Sequence, residues 1–169
     1  MTPSREAHSA TMRMTTCSPA SAALTVLLAL GAAGCALFSG GEKAPVPVRV
    51  RVSAAARLNP DERGESLPTA VRVYQLKAVQ KARTVDLAPL LRDPKEALGE
   101  EFLSVDELFV DPGGTGEKTV TADKAAQAVM IVGVFRRPAG DAWRDIVPLG
   151  GRSLELGYHL DEYRIVRRQ

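Results

Sequence analysis

Hydrophobic and polar positions alternate from Val46 onward: Val46, Val48, Val50, Val52, Ala54 and Ala56 fall on one face, and Pro47, Arg49, Arg51, Ser53 and Arg57 on the other. A sustained period of two is the pattern of a strand with one buried and one wet face. Pro47, which cannot donate to a ladder, belongs near the strand's start or on an edge. A second strand is predicted at TAVRVYQLK from Thr69, rich in β-branched and aromatic residues, with the stem of Arg72 lying across the sheet surface. Between Val79 and Phe102 the period changes. Asp86 can cap a short helix carrying Leu87, Leu90 and Leu91 on one face. A second helical turn starts at Asp93-Pro94, with Pro94 first in the helix, Glu96 three after the cap and Gly99 as the stop. These leucines are expected to form a lid on a sheet.

Strand-like segments then recur between turn signals. FLSVDELFV ends at the turn Asp111-Pro112-Gly113-Gly114, KTVTAD is short and amphipathic, and AQAVMIVGVFRRP is the most continuously apolar stretch. Its part from Ala128 to Phe135 reads as a central strand covered on both faces. WRDIVPL and SLELGYHL follow, and the tail YRIVRRQ either pairs as a last strand or frays. Seven or eight short strands with one small helical insertion predict a mainly β fold, a β-sandwich; a parallel α/β sheet needs more helices.

The apolar stretch from Ala22 to Phe38 has a different character. As a helix it is about 25 Å long against a hydrocarbon core of about 30 Å, and its second half, Gly31-Ala32-Ala33-Gly34, buries little area. The strongly apolar part, Leu24 to Leu30, has the length of an export-signal core, with Arg5 and Arg13 as its basic flank. Met12 and Met14 are alternative starts. Ala32-Ala33-Gly34-Cys35 resembles a bacterial lipobox, with Ala32 where the pattern prefers Leu. In that motif the thiol is the group nucleophilic enough to take a diacylglycerol as a thioether, and the cysteine becomes the first residue of the mature chain. The expected organisation is a signal peptide over 1–34, a lipidated start and flexible tether over 35–45, where SGGEKAP is Gly-, Ser- and Pro-rich, and one β-sandwich domain over 46–169.

Composition narrows the function. Removing Arg5, Arg13 and Glu6 from the totals leaves 20 basic and 19 acidic side chains, a balance that argues against a nucleic-acid or polybasic membrane mechanism. Cys17 leaves with the signal, so Cys35 is the mature chain's one cysteine and no disulfide is available. His159 is the domain's single histidine, a poor base for a Ser-His-Asp or metal site. The carboxylates of Asp61, Glu62 and Glu65, or of Glu100 and Glu101, could pair for acid/base work, but polar surroundings make solvated faces of them. The glycines of DPGGTG lack phosphate-loop spacing and form a turn. One connection stands out: LNPDERGESLP, Leu58 to Pro68, spans about ten residues where hairpins use about 2–5. Long ordered loops on a rigid sandwich are common places for recognition.

With these segments in order, the chain resembles the type VI secretion outer-membrane lipoprotein family TssJ, also called VasD or SciN. The resemblance is carried by LNPDERGESLPTAVRVYQLK, LLRDPKEALGEEFLSVDELFVDPG and VGVFRRPAGDAWRDIVPL, in family order and spacing, together with the lipobox. It implies a transthyretin-like β-sandwich with a helical insertion, anchored in the inner leaflet of the outer membrane and facing the periplasm. It implies no catalysis, and no cofactor beyond the covalent acyl and diacylglycerol lipid on Cys35. The implied partners are the outer-membrane lipid and the periplasmic domain of the inner-membrane protein TssM, with TssL in the same complex; nucleic acid is not among them. The family's partner-binding loop maps onto Leu58, Asn59, Pro60, Asp61, Glu62, Arg63, Gly64, Glu65, Ser66 and Leu67. Ala36 and Leu37 follow Cys35 where an Asp would signal inner-membrane retention, so the outer membrane is the expected address. The alternatives are an outer-membrane lipoprotein that binds a small ligand or cell-wall component in a concave apolar pocket, and an envelope hydrolase built on His159.

Overall fold

The computed structural model describes residues 46–168; Cys35, the export segment before it and the tether up to Pro45 lie outside the described residues. Eight strands form two four-stranded sheets. They are β1 (Val46–Leu58), β2 (Thr69–Leu76), β3 (Phe102–Val110), β4 (Thr115–Ala122), β5 (Ala128–Gly133), β6 (Arg144–Pro148), β7 (Leu154–Glu162) and β8 (Arg164–Arg168). One sheet has the order β4-β1-β7-β8 and the other β3-β2-β5-β6. Every pairing is antiparallel except that of β1 with β7, which is parallel. The mainly β sandwich expected from the pattern is the fold that forms, and the tail pairs as β8.

Alternation carries the core. Val48, Val50, Val52 and Ala54 of β1 are buried and meet Val71 and Val73 of β2 and Val129 and Ile131 of β5 in one cluster with Leu156, Tyr158 and Leu160 of β7. Gln75 lies between the sheets as a clasp: its Nε2 donates to Thr121 O at 3.1 Å and its Oε1 accepts the N–H of Asp123 at 2.7 Å. Since Gln75 faces the other sheet, Tyr74 and Leu76 face outward, and both are nevertheless fully buried. All six residues of β5 are also buried, as a strand covered on both faces must be.

Two expectations need correction. Ala56 is exposed, because the β1–β7 register shifts between Ala54 and Leu58 and the alternation ends there. The β5 strand stops at Gly133, two residues short of Phe135. There the chain turns, with Phe135 N–H donating to Gly133 O at 3.1 Å. The Phe135 ring then covers Gly133 so closely that a Cβ would lie 2.4 Å from a ring carbon, which only glycine permits.

The cover on the outer face of the second sheet is the helical insertion. It contains α1 (Gln80–Thr84), α2 (Leu87–Arg92), α3 (Pro94–Leu98) and a 3-10 turn at Gly99–Glu101. Ala82, Leu90 and Leu98, one from each helix, are fully buried in the same cluster as Tyr74 and Leu76. This is the expected lid, although Leu87 and Leu91 are only half-buried. The Asp93 cap holds, with Oδ1 accepting the N–H of Glu96 at 2.9 Å, and Gly99 ends α3 at φ 57°. Asp86 stands at the start of α2 with extended backbone, but its side chain makes no capping bond.

The α1 helix was not legible as a helix because both of its caps come from afar. The Glu101 carboxylate accepts the N–H groups of Lys81 at 3.1 Å and Ala82 at 3.4 Å. At the other end Arg144 donates Nη1 to Ala82 O (3.1 Å) and Val85 O (2.6 Å), and Nη2 to Arg83 O (2.7 Å) and Asp141 Oδ1 (2.9 Å). Its guanidinium also lies 4.6 Å from the centre of the Trp143 ring. A planar fork over the open carbonyls of a helix C-terminus satisfies groups that have no intrahelical partner. Replacing Arg144 by Ala is expected to cost about 2–4 kcal/mol of unfolding free energy, and by Lys about 1–2, since an ammonium cannot span three carbonyls. Urea denaturation measures both, and losses below about 0.5 kcal/mol for Ala would show that the insertion holds without this fork.

Candidate partner-binding site

The long connection after β1 begins inside the protein. Leu58 is fully buried, Asn59 is 5% exposed and Pro60 is buried. Asn59 adopts φ 45°, a left-handed turn that asparagine tolerates better than most side chains. Its N–H donates to Glu162 O at 2.8 Å, and its Oδ1 accepts the N–H of Arg136 at 2.8 Å. The next carbonyl, Pro60 O, accepts the Tyr163 hydroxyl at 2.7 Å.

Beyond Pro60 the loop folds on itself. Asp61 Oδ1 accepts the N–H groups of Arg63 (2.8 Å) and Glu65 (2.9 Å), the Asx-turn chemistry of a short acidic side chain. Asp61 N–H donates to Glu65 O at 2.9 Å, and Gly64, at φ 82°, donates to Asp61 O at 3.2 Å. Leu67 N–H closes the base on Leu58 O at 2.9 Å. Glu62, Arg63, Gly64 and Glu65 are exposed, and Asp61, Ser66 and Leu67 are half-buried. The ten residues thus divide: Leu58, Asn59 and Pro60 form a buried foundation, and the presented tip runs from Asp61 to Glu65.

The foundation brings in two further turns. The β5–β6 connection reaches the loop through Arg136 and through Arg137, whose Nη2 lies 3.8 Å from Glu62 Oε1. The β7–β8 turn reaches it through Glu162 and Tyr163, and Tyr163 O accepts the Ala139 N–H at 3.3 Å. The sequence showed the first loop by its length. It gave no comparable signal for the other two beyond the adjacent arginines of FRRP, because their approach is set by pairings between distant strands.

The remaining candidate chemistry has structural explanations. His159 Nδ1 lies 3.0 Å from Ser53 Oγ, and that hydroxyl donates to Tyr158 O at 3.3 Å. A serine whose proton is engaged by a carbonyl offers lone pairs to an imidazole N–H, the reverse of nucleophile activation. Burial first, and the Asp145 carboxylate second, push the Tyr158 phenol well above its ordinary range, so it remains a donor to Asp145 Oδ2 at 2.8 Å. Glu101 is occupied as the α1 cap. Among the described residues, no three His, Cys, Asp or Glu side chains stand close enough to hold a metal. A groove of about 560 Å³ runs between α1 and β6, lined by Val79, Gln80, Arg83, Gln127, Asp141 and Arg144. Its most buried polar group, Arg144, has its donors committed to the helix carbonyls.

A two-sheet β-sandwich that presents an internally bonded cluster of loops at one end has the build of a binding module. The chain belongs to the type VI secretion lipoprotein family that includes VasD, EvfM and TssJ, whose model matches residues 46–163. That family is a structural component of type VI secretion, not an enzyme. Among solved structures, the chain is similar to the lipoprotein TssJ1 of Pseudomonas aeruginosa, at 26% identity and a TM-score of 0.66, covering 75% of this chain and 98% of that one. It is also similar to Lip of Serratia marcescens, a membrane-bound component of the type VI secretion system, at 19% identity, TM-score 0.67 and coverage of 73% and 97%. A third match, at 17% identity, TM-score 0.65 and coverage of 73% and 98%, is to a chain in a structure described as the TssM C-terminal domain from EAEC. No curated protein sequence matches the chain.

The Asn59 amide supports the whole loop cluster, and the kinds of substitution separate its two roles. Asn59→Ala loses both the acceptor for Arg136 N–H and the tolerance of a left-handed φ, and is expected to cost about 2–4 kcal/mol. Asn59→Gly keeps the backbone freedom and is expected to cost about 1–3 kcal/mol, and Asn59→Asp, which keeps an acceptor but buries a carboxylate, about as much at neutral pH. Chemical denaturation of the three variants gives the order, and an Ala variant as stable as the parent would remove Asn59 from this role.

Proposed function

We propose that the chain is lipidated at Cys35, anchored by its acyl chains in the inner leaflet of the outer membrane, and holds the periplasmic domain of TssM, with TssL in the same complex. In this reading residues 1–34 are removed on export, 35–45 form the lipidated tether, and 46–169 form the binding domain. The partner-binding surface is the exposed tip of the β1–β2 loop, Asp61 to Glu65, on the foundation of Leu58, Asn59 and Pro60.

The observation that carries the reading is the direction of β1. The strand starts at Val46, where the tether joins, and ends at Leu58, where the loop begins. Thirteen extended residues put about 40 Å between these points. In this reading the tether joins β1 at one end and the partner-binding loop leaves it at the other. Family membership and the likeness to a chain in a structure described as the TssM C-terminal domain support the same partner. Ala36 and Leu37 after Cys35, in place of Asp, support the outer membrane as the address.

Mechanistically the protein is a linker. Two or more acyl chains at about 0.8 kcal/mol per buried CH2 hold one end, and the loop cluster holds the other. Lipid and loop together make the attachment multivalent, because once one end is held the other attachment is intramolecular.

Cys35→Ser is expected to move the protein from the membrane fraction to the soluble periplasm, to leave TssM binding intact and to abolish secretion; unchanged fractionation would end the anchoring claim. The loop is tested separately by changing exposed side chains alone, as Glu62→Ser/Arg63→Ser/Glu65→Ser, with Asp61 and Gly64 kept for the fold. This variant is expected to bind TssM at least about tenfold more weakly at unchanged thermal stability. Undiminished affinity would move the interface away from the loop.

A further inference from the structure

Resting on the reading of TssM as the partner, we infer that the open edge of β3 is a second contact for the same protein and takes an extended segment of the TssM periplasmic domain as an added strand. The backbone shows which groups face that edge. Ala70 O accepts the N–H of Val134 at 2.9 Å, so even-numbered residues of β2 turn their backbone toward β5 and odd-numbered ones toward β3. With Val71 opposite Leu108, the residues Val105, Glu107 and Phe109 then direct their N–H and C=O away from β2, where the sheet ends. Their side chains share the outer face of the sheet. Val105 is 40% and Phe109 69% exposed, and between them Glu107 Oε2 accepts Arg72 Nε at 2.7 Å.

The other three sheet edges are blunted against such pairing, as edge strands usually are. The β6 strand has five residues and ends in Pro148, which has no N–H to offer. The β8 strand is equally short and carries Arg164, Arg167 and Arg168. On β4 the residues turned to the edge, Thr115, Glu117 and Thr119, are polar, and the Gln75 amide already holds Thr121 O. The β3 strand runs for nine residues without Pro or Lys, and both of its carboxylates are paired, Glu107 with Arg72 and Asp106 with Lys118 at 3.2 Å. The occupant follows from the same groups. A row of unpaired N–H and C=O groups is completed by an extended backbone; lipid would leave it unsatisfied. A second copy fits poorly in two-fold antiparallel pairing. Setting Val105 opposite Phe109 brings Glu107 against Glu107, and the neighbouring registers bring Asp106 against Asp106 or Phe109 against Glu107. The chain's own SGGEKAP before Val46 has no alternating apolar residues. A strand from another protein, apolar at two positions four apart with an uncharged or basic residue midway, meets none of these conflicts. The edge is also continuous with the loop: Val110, at the end of β3, pairs with Thr69, whose hydroxyl donates to Leu67 O at 3.4 Å.

The test titrates the full lipidated chain in detergent with the TssM periplasmic domain and follows thermal stability, sedimentation and amide hydrogen exchange. Val105→Lys/Phe109→Lys is expected to weaken binding by about tenfold or more at unchanged thermal stability, since both side chains are exposed. In the wild-type complex, exchange at the N–H groups of Val105, Glu107 and Phe109 is expected to slow by about tenfold or more, while Asp106 and Leu108, bonded to β2 in the free protein, change far less. If the Lys pair binds like wild type while Glu62→Ser/Arg63→Ser/Glu65→Ser has lost affinity, the loop reading stands and the edge contact is overturned. Lost affinity with no change in exchange at the three amides would mean that the side chains bind without strand addition, and the inference fails. Dimers of the chain alone that the Lys pair abolishes would give the edge to a second copy and overturn it as well. If neither variant loses affinity, both surfaces lose their assignment to TssM; if only the Lys pair does, with the three amides protected, the edge contact stands and the loop reading fails.

Discussion

Asn59 turns the chain through φ 45° as β1 leaves its sheet, and its amide group holds the N–H of Arg136 at 2.8 Å. Most of the arrangement at that pole follows from this contact. The turn sends the loop outward at the point where β7 ends, so that Glu162 O is placed to accept Asn59 N–H. The side chain then reaches the β5–β6 connection, which belongs to the other sheet. One buried amide therefore joins three loops drawn from both halves of the sandwich. Its Oδ1 and its backbone N–H both have partners at good distance, which offsets much of the cost of burial.

A loop ordered this way differs energetically from one of equal length that only looks similar in composition. Asp61, Gly64 and Leu67 close its hydrogen bonds internally, so its shape exists before any partner arrives. Association then has less ordering entropy to offset, and affinity depends more on the few exposed side chains. The distinction also bears on mutation. Changes at Leu58, Asn59 or Pro60 act through the fold, whereas changes at Glu62, Arg63 or Glu65 act on the presented surface.

Features carried by local residue pattern were legible in the sequence. The valines of β1, the continuously apolar β5 and the Asp93-Pro94 start of α3 with its Gly99 stop each follow from residues within a few positions of one another. What could not be read depends on distant partners. The α1 helix owes its ends to Glu101 and Arg144, and the W-R pair in AGDAWRD has its physical explanation only when Arg144 is seen stacked on Trp143 and bonded to α1 carbonyls. Ala56 breaks the β1 alternation because a register shift against β7 intervenes. In the loop, length and polarity marked an unusually long connection, but Leu58, Asn59 and Pro60 were indistinguishable from the exposed tip until strand pairing buried them. Arg136 and Arg137 were not singled out by local pattern, since their neighbourhood arises from the β5–β6 turn meeting Asn59.

The parallel pairing of β1 with β7 explains why the loop is secured at the end of β1 away from Val46. In the proposed arrangement, tension enters at Val46 and leaves near Asn59, along the axis of β1. That strand is paired on both sides, with β4 over Val46 to Ser53 and with β7 over Val48 to Ala54 and again at Leu58. An axial pull on its two ends runs along the covalent backbone of β1, and the two ladders keep that strand seated in its sheet. Because β7 runs in the same direction, it ends at the same pole, and its last residues supply Glu162 O to Asn59 just where β1 leaves the sheet. An antiparallel neighbour in that place would begin there instead, and the turn that now secures the loop would lie at the tether end.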